Sequence, residues 1–550
     1  MKPLDYLRSG LQTALSRSSF DVADPLLLSL ERPKQDGLGD LASTVAMNLA
    51  RQVKAAPRKL AEQLVAQFPI DVFYLDKIEI AGPGFINFHL AKPCLQQTVL
   101  DILAEGERYG NSDPGGGKKI QLEFVSANPT GPLNIVSARA AAVGDVLANC
   151  CRAAGYDARK EFYVNDAGRQ IRLLGASLSA RYLSELGRDE SVPEDGYHGA
   201  YLRDFAVELI SKESDRYLTM ERQEREALFS RLALEHMLAK QKASLDRYRV
   251  NYDLWFHESS LRSSNEQQKV LDQFHRDGLS YEHDGALWFR SSQFGDEKDR
   301  VLVTAQGEPT YFLVDIAYHE NKYDRGFEKL IDFWGPDHHG YIERMRAAIV
   351  ALGHPRESFD VSIIQQVNLL RGGQVVKMSK RAGEIIEMDE LIEEVGVDAA
   401  RFYFVDRRIS QPMDFDIDLA KKQTDENPVF YVQYAHARIC NILRYAAEQG
   451  IEVPETADTR RLENPQEMAL IKKLIEFPEL ITRVVQFTEP HRITAYLQEV
   501  AAVFHRFYHE HRVVTDDREL SLARLMLARA AKTVLANGFR LLGISAPESM

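Results

Sequence analysis

A run opening at Asp40 places Leu41, Val45 and Leu49 four residues apart, the spacing of an amphipathic helix. Beyond it, Lys77–Ala81 and Phe85–His89 alternate polar and apolar around Gly82-Pro83-Gly84, which predicts two strands joined by a turn. Residues 1–112 therefore read as a small α+β module, and Gly115-Gly116-Gly117 reads as a linker behind it. A buried strand is predicted over Lys119–Val125, then a Pro/Gly-rich turn from Asn128 to Pro132 and an alanine-rich helix over Ser137–Ala154, ended by Gly155. Strand, loop and helix in that order open a parallel α/β sheet, in which ligands sit beyond the carboxyl ends of the strands. Leu330–Trp334 and Val361–Val367 predict further strands of this block, 118–410. Charged helices and an extended patch over about 180–300 read as an insertion in it. The last block, 411–550, is helical. Ile493, Tyr496, Leu497, Val500, Ala501, Phe504, Phe507 and Tyr508 form one stripe, and Leu522, Leu525, Met526, Ala530 and Val534 another with Arg529 at its edge. Such stripes predict a helix bundle. The fold class is thus multidomain and mainly α with an α/β core.

Composition narrows the class. With 550 residues, 45% hydrophobic and 27% charged, the chain is long enough for three or four domains and is neither disordered nor collagen-like nor a coiled coil. No 18-residue window is apolar throughout, so no membrane span is expected. Lys2, Asp5 and Arg8 precede no apolar segment, which predicts no secretory leader and a cytoplasmic protein. Cys94, Cys150, Cys151 and Cys440 include no Cys-x-x-Cys pair, against a zinc ribbon or a disulfide framework, and no metal site is expected in the protein itself. The net charge of −13 argues against a polybasic nucleic-acid binder. The excess acid lies before residue 421, because the remainder carries 17 Lys plus Arg against 17 Asp plus Glu. Any nucleic-acid surface must be local.

Two clusters carry chemistry. From Glu123 through Ser126, Asn128, Gly131, Asn134 and Ser137 to Arg139, carboxylate, hydroxyl and amide groups end a strand and lead into a helix. That arrangement can hold a cationic substrate beside a phosphate at the helix N-terminus; alone, it reads equally as an ordinary capped strand-to-helix turn. Lys377-Met378-Ser379-Lys380-Arg381 follows Arg371-Gly372-Gly373. Two lysines three apart can neutralise a leaving pyrophosphate, or simply form a solvated basic run.

Together these segments resemble the class I aminoacyl-tRNA synthetases, and specifically the arginyl-tRNA synthetase family. The resemblance rests on Ser126–Leu133, Tyr163–Gln170, Glu194–Gly199, Trp334–Tyr341, Asn427–Arg438 and Leu541–Pro547, in order along essentially the whole chain. It implies a Rossmann-type catalytic domain, an N-terminal module contacting tRNA through the strand pair near Gly82–His89, and a helical anticodon-binding domain. The implied activity is arginine–tRNA ligase: L-arginine and ATP, accompanied by Mg2+, form arginyl-adenylate, and the arginyl group passes to the 3′ end of arginine tRNA. The implied protein is a monomer. By position in the family's motifs, Glu123, Ser126 and Asn128 hold the α-amino end of arginine, and Tyr311 and Asp315, one helical turn apart, read the guanidinium; the rival for that pair is a surface helix contact. ATP falls to Pro129, Thr130, Gly131, Pro132, Leu133, Asn134, Ile135, Val136 and Ser137, to Gly335, Asp337 and His338, and to Lys377, Met378, Ser379 and Lys380. Structural hydrogen bonding is the alternative for His338 and His339. Tyr431, Gln433, His436 and Arg438 would meet tRNA bases, with Tyr434 divided between packing and RNA.

One segment departs from the class pattern. Where the class carries His-Ile-Gly-His, this chain has Asn134-Ile135-Val136-Ser137. Neither replacement can bear an imidazolium charge, and losing one preorganised donor costs on the order of 3 kcal/mol. Retention of Lys377, Lys380 and the arginine-binding positions favours a working enzyme with Asn134, Ser137, Lys377 and Lys380 as its catalytic set, aided by the helix N-terminus near Ser137 and Mg2+. The alternative is a paralogue that binds tRNA without aminoacylating it. Lys380→Ala is expected to depress adenylate formation, measured by ATP–pyrophosphate exchange, with tRNA binding near normal; loss of tRNA binding instead would assign the basic loop to RNA.

Overall fold

A computed structural model describes residues 2–20, 28, 30–33, 37–188, 190–376 and 386–550. The N-terminal module comprises α1 (Pro3–Arg17), β1 (Leu30–Glu31), β2 (Leu41–Ser43), α2 (Val45–Val53), α3 (Pro57–Gln67), β3 (Leu75–Ala81), β4 (Phe85–Leu90) and α4 (Lys92–Glu105). Its antiparallel sheet runs β1-β2-β4-β3. The expected hairpin is present as β3 and β4, but Leu41 is not helical: it pairs with Phe88 on β2, and the helix starts only at Val45. Strand pairing overrides the four-residue spacing there.

The central block contains β5 (Lys119–Glu123), α5 (Ile135–Ala153), β6 (Asp157–Val164), α6 (Arg169–Glu185), α7 (Ala200–Glu213), α8 (Arg222–Arg247), β7 (Leu254–His257), α9 (Glu258–Ser263) and α10 (Glu266–Arg276). It continues with β8 (Ser280–His283), β9 (Ala286–Phe289), β10 (Arg300–Val303), α11 (Tyr311–Asp324), β11 (Lys329–Trp334), α12 (Ile342–Ala351) and β12 (Phe359–Ile363). Then come β13 (Val367–Arg371), β14 (Gln374–Val375), α13 (Met388–Val395), α14 (Val397–Val405), β15 (Met413–Asp416) and α15 (Ile417–Ala420). The main sheet is parallel, in the order β12-β11-β5-β6-β7. Its order reverses between β5 and β11, and the loops after those two strands flank the crevice where α/β sheets bind ligands.

Two expectations change. Residues 180–300 are not one insertion, because β7 returns to the parallel sheet between the helical pair α7–α8 and the antiparallel sheet β8–β10. The predicted strand Val361–Val367 is the end of one strand and the start of another: β12 closes the main sheet, and Val367 opens β13, which pairs with β15.

The bundle consists of α16 (Pro428–Glu448), α17 (Pro465–Ile475), α18 (Phe477–Phe487), α19 (His491–Glu510) and α20 (Arg518–Leu542). Both apolar stripes are buried in it, apart from the half-buried Leu522 and the exposed Tyr508, and Arg529 points to solvent. The glycine run is no loose linker. Gly115 and Gly117 donate to the carbonyls of Ala154 and Gly155 at 2.9 and 2.8 Å, docking the turn on the end of α5. The N-terminal module meets the bundle directly, with Asn537 Nδ2 donating to the carbonyls of Gly106 and Tyr109 at 2.9 Å each. One apolar core runs through all three parts. The four cysteines are buried thiols, and among the described residues no helix is long and apolar enough to cross a membrane.

Helix α5 sets the position of everything at the sheet's carboxyl edge. It packs on β5 so closely that a Cβ at Gly144 would stand 2.3 Å from Cγ of Phe124, the residue just past β5. Alanine there gains about 1 kcal/mol of helix propensity, whereas overpacking a core costs about 1–3 kcal/mol. Gly144→Ala is therefore expected to lower the thermal midpoint, and a midpoint at or above that of the parent would contradict this packing.

Candidate functional site

The site begins where β5 ends. Glu123 is the last strand residue, and the chain then turns through Val125 (φ +70°) and Ser126 (φ +38°), a left-handed conformation costly for a β-branched residue. That turn swings Ser126 back, so that its Oγ donates to Glu123 Oε1 at 2.9 Å and accepts from the Tyr163 amide at 3.0 Å. Glu123 Oε2 takes a 2.7 Å hydrogen bond from Lys322 Nζ, which donates its next to Asp332 Oδ1 at 3.0 Å.

These partners follow from register. Asp332 on β11, Glu123 on β5 and Glu161 on β6 stand directly opposite one another in adjacent parallel strands. Three carboxylates thus form one buried row. Helix α11 lies across it and supplies the counter-groups: Lys322 to Glu123 and Asp332, His319 Nε2 to Asp332 Oδ2 at 2.9 Å, and Tyr318 Oη to Glu161 Oε1 at 2.7 Å. Arg325, just past the helix, pairs with both Glu161 oxygens at 2.6 and 3.0 Å. Burial alone would raise the Asp332 pKa, but Lys322 and His319 hold it below the ordinary carboxylate range.

The turn after Asn128 is gripped from behind by the helices inserted between β6 and β7. Gln241 Nε2 on α8 donates to the carbonyls of Asn128 and Gly131 at 3.2 and 2.9 Å, and Tyr201 Oη on α7 donates to that of Thr130 at 2.5 Å. Asn128 itself is exposed, Pro129, Leu133 and Ile135 are buried, and Pro132 and Val136 are half-buried. Asn134 caps α5: its Oδ1 accepts from the amides of Val136 and Ser137 at 2.9 and 3.0 Å and from Ser137 Oγ at 3.3 Å. The Val136 and Ser137 amides, part of the helix N-terminus expected to meet phosphate, are thus taken up by Asn134, which keeps its Nδ2 as a donor. The Met388 amide donates to the Leu133 carbonyl at 2.8 Å, tying the segment that returns from the basic loop to this turn. Lys377, Met378, Ser379 and Lys380 lie outside the described residues.

Tyr311 and Asp315 open α11 behind the Thr310 cap, but they do not pair. Tyr311 is 78% exposed, and Asp315 Oδ2 instead accepts a 2.6 Å hydrogen bond from Tyr341 Oη. Burial pushes the Asp315 carboxyl up to about 6 despite that hydrogen bond and the nearby His319. Gly335 follows β11 with open space where a Cβ would stand, and Asp337 and His338 are exposed beyond it. His338 meets the Trp334 ring at 6.2 Å and His339 is exposed, so neither is a buried structural histidine.

In the bundle, two of the residues expected to meet RNA are already bonded within the protein. Gln433 (8% exposed) donates to Asp398 Oδ2 and the Ser545 carbonyl, and His436 (2%) hydrogen-bonds the Pro547 carbonyl through Nδ1. The C-terminal tail folds back over α16 and takes up their polar atoms. Tyr431 is half-buried against His505, at 5.1 Å between ring centres. Arg438 lies over the rings of Tyr434 and Tyr508 at 4.5 and 5.4 Å, with a 2.7 Å hydrogen bond to Tyr434 Oη. Burial and Arg438 lower the His505 pKa to about 4, so its neutral Nδ1 accepts from Arg438 Nη1 at 3.2 Å. Tyr434, Arg438, His505 and Tyr508 line an open groove of 890 Å3 with Tyr445 and Arg512.

A five-stranded parallel sheet with its order reversal between β5 and β11, and a helical bundle behind it, carry the domains of a class I aminoacyl-tRNA synthetase. The family profile for tRNA synthetases class I (R), catalytic domain, matches residues 98–415, flanked by the arginyl tRNA synthetase N terminal domain over 5–90 and the DALR anticodon binding domain over 432–550. The chain belongs to the arginyl-tRNA synthetase family. It is 48% identical to the arginine–tRNA ligase of Heliobacterium modesticaldum over 98% of this chain and 97% of that one. Identity to the Listeria monocytogenes arginine–tRNA ligase is 47%, over 100% of this chain and 99% of its relative. Its fold matches Thermus thermophilus arginyl-tRNA synthetase with a TM-score of 0.79, at 23% identity, over 99% of this chain and 100% of the other.

Sequence reasoning missed Lys322, His319, Asp332, Glu161, Tyr341 and Gln241. A lone acid in the apolar strand Leu330–Trp334 was the one available signal. Removing the cation shared by Glu123 and Asp332 leaves two buried carboxylates facing each other. Lys322→Met is expected to cost about 3–5 kcal/mol in urea unfolding, and an unshifted midpoint would show that the row does not need it.

Proposed function

We propose that this chain is an arginine–tRNA ligase whose substrate selection rests on two acidic groups, Glu123 and Asp315, at the carboxyl edge of the sheet. The arginine carboxylate attacks the α-phosphorus of ATP, the bond to the β-phosphate oxygen breaks and pyrophosphate leaves. A hydroxyl at the 3′ end of tRNA then attacks the arginyl carbonyl and releases AMP. The observation that carries the reading is the pre-set carboxylate of Glu123. Ser126 and Lys322 each occupy one acceptor position of a carboxylate that offers about four, which leaves positions for the α-ammonium. Ser126 and Asn128 complete that end of the pocket, and Asp315 and Tyr311 meet the guanidinium.

ATP is assigned to the turn Pro129–Leu133, to Asn134 through Ser137, and to the Gly335–His338 turn, where the bare Gly335 leaves room for a flat ring. With the α5 amides capped, charge developing on the phosphates falls to Lys377 and Lys380, with Asn134 Nδ2 in place of an imidazolium. Mg2+ arrives as the counterion of ATP, and no residue is assigned to it. The groove around Arg438, Tyr434, Tyr445, Tyr508 and Arg512 takes the role first given to Gln433 and His436, because it offers ring faces and guanidinium groups for unpaired bases. On this reading 1–112 contacts the tRNA, 118–410 is catalytic and 411–550 reads the anticodon, in a cytoplasmic monomer.

The test is charging of total tRNA with labelled arginine and, separately, lysine, under ATP and Mg2+. Arginine-specific charging is expected, and tRNA binding without transfer would mark Asn134-Ile135-Val136-Ser137 as a lost site. Asp315→Asn should raise the arginine KM about 10- to 100-fold, the cost of one hydrogen bond to a charged group, and leave the ATP KM nearly unchanged. Only the ionised carboxylate offers guanidinium two acceptor oxygens and an opposite charge. Burial raises the pKa of Asp315, so kcat/KM for arginine should fall as pH drops through about 6, and that limb should vanish in Asp315→Asn. Equal effects on both substrates would sink the assignment.

A further inference from the structure

We infer that Tyr341 is a positioning residue for amino-acid selection, its hydroxyl taking one acceptor position of Asp315 Oδ2 and so fixing the plane in which the two carboxylate oxygens meet the incoming cation. This rests on Asp315 as the guanidinium acceptor. The contact joins two parts of the site: Asp315 sits on the first turn of α11, and Tyr341 ends the short helical turn Pro336–Tyr341 that follows β11 and carries Asp337 and His338. One rigid segment therefore touches both the amino-acid acceptor and the assigned nucleotide turn.

The ring of Tyr341 has little freedom. Phe312 meets it edge-on at 5.9 Å, Trp334 at 5.8 Å, and the Arg344 guanidinium lies over it at 4.9 Å. Burial and the adjacent Asp315 raise the Tyr341 pKa far above neutrality, so its hydroxyl keeps its proton and always donates. A guanidinium is planar and meets a carboxylate through two parallel N–H bonds, whereas an ammonium is a point donor indifferent to the carboxylate's rotation. Fixing that rotation therefore favours arginine over lysine.

The surroundings of Asp315 give the hydroxyl a second consequence. Glu123 on β5 and Glu258 at the start of α9 both raise its pKa, as burial does, while Tyr341 and His319 oppose them. Without the hydroxyl, Asp315 takes up its proton at higher pH and presents a donor to the donors of arginine.

Tyr341→Phe keeps the ring and its packing and removes only the donor. It is expected to raise the arginine KM about 5- to 10-fold, less than a direct charge-assisted bond to substrate because Tyr341 acts through Asp315, with the ATP KM within about twofold. The acid limb of kcat/KM for arginine should move to higher pH, and the preference for arginine over lysine should narrow. In an Asp315→Asn background the same change should add nothing. A Tyr341→Phe enzyme with the parent arginine KM and acid limb, beside an impaired Asp315→Asn enzyme, overturns this inference alone. Matched rises in both KM values with an unmoved limb overturn it too, as the mark of a general disturbance. An unimpaired Asp315→Asn enzyme removes the reading of Asp315 and this inference with it.

Discussion

Three carboxylates in register across three neighbouring strands are the constraint on which the rest of this structure depends. Asp332, Glu123 and Glu161 face the same side of a parallel sheet, almost wholly removed from water. Left alone, the row would protonate or unfold, because buried like charges cannot all ionise. Lys322 from α11 and Arg325 beyond it supply two cations against three acids, with His319 and Tyr318 filling the remaining acceptors. Of the three, Glu123 stands where β5 ends and the crevice begins. Buried ion networks add little stability compared with apolar packing, so this one is better understood as fixing orientation than as holding the fold together.

A second buried network ties that edge to the far end of the molecule. Helix α5 begins at the Asn134 cap in the crevice, passes under Phe124 at Gly144, and at Asp145 meets Lys160 and Arg401 at 2.7 and 2.5 Å. Arg401 also donates to the carbonyls of Leu542 at 2.7 Å and Tyr248 at 3.0 Å. Leu542 ends α20, and the left-handed Gly543 (φ +67°) that caps it lies too near the Arg401 guanidinium for any side chain. Asn149 adds a 3.1 Å hydrogen bond to the Leu541 carbonyl. The last helix of the bundle is thus bonded to the helix that begins at the crevice. A displacement of α20 cannot be absorbed by a hinge here, since the fully buried Arg401 would lose several partners at once.

Much of this was legible in one dimension, where neighbours in sequence are neighbours in space. The strand, turn and helix from Lys119 to Ala153 and the apolar stripes of α19 and α20 are local patterns, and the sequence places them within a few residues of where they occur. Glu123 was legible as a carboxylate at a strand end. Asp332 and Lys322 were not, because their partnership depends on β11 lying beside β5, a pairing across some 200 residues that no spacing encodes. Gln433 and His436 illustrate the converse. On α16 they look like base-reading donors, and only the return of Ser545 and Pro547 over the helix shows that those atoms are already bonded. Leu41 fits a helical period and is nevertheless a strand residue, because β4 offers its backbone a ladder. Residues 180–300 look like one insertion for the same reason: β7 is a four-residue strand whose identity lies in its neighbour β6.

The electrostatic demands of the proposed reaction are opposed, and the chain meets them by separation. Arginine is a cation that needs fixed anions, whereas ATP and tRNA are polyanions that such anions repel. Within about one Debye length, roughly 8 Å at physiological salt, a net acidic surface would disfavour both nucleotide partners. On the proposed assignment the acids meet this demand from inside: Glu123 ends β5 bonded to Lys322, and Asp315 sits on the first turn of α11 bonded to Tyr341, so their field acts at short range more than on a phosphate outside. The bundle, with equal numbers of acids and bases, adds no repulsion of its own. Its groove does not rely on net charge: Arg438 is spread over two tyrosine rings and hydrogen-bonded to one of them, which positions a planar donor for stacking rather than a mobile charge for attraction. A −13 protein can handle RNA on these terms because its recognition surfaces are built from fixed groups at short range and not from the field of the whole molecule.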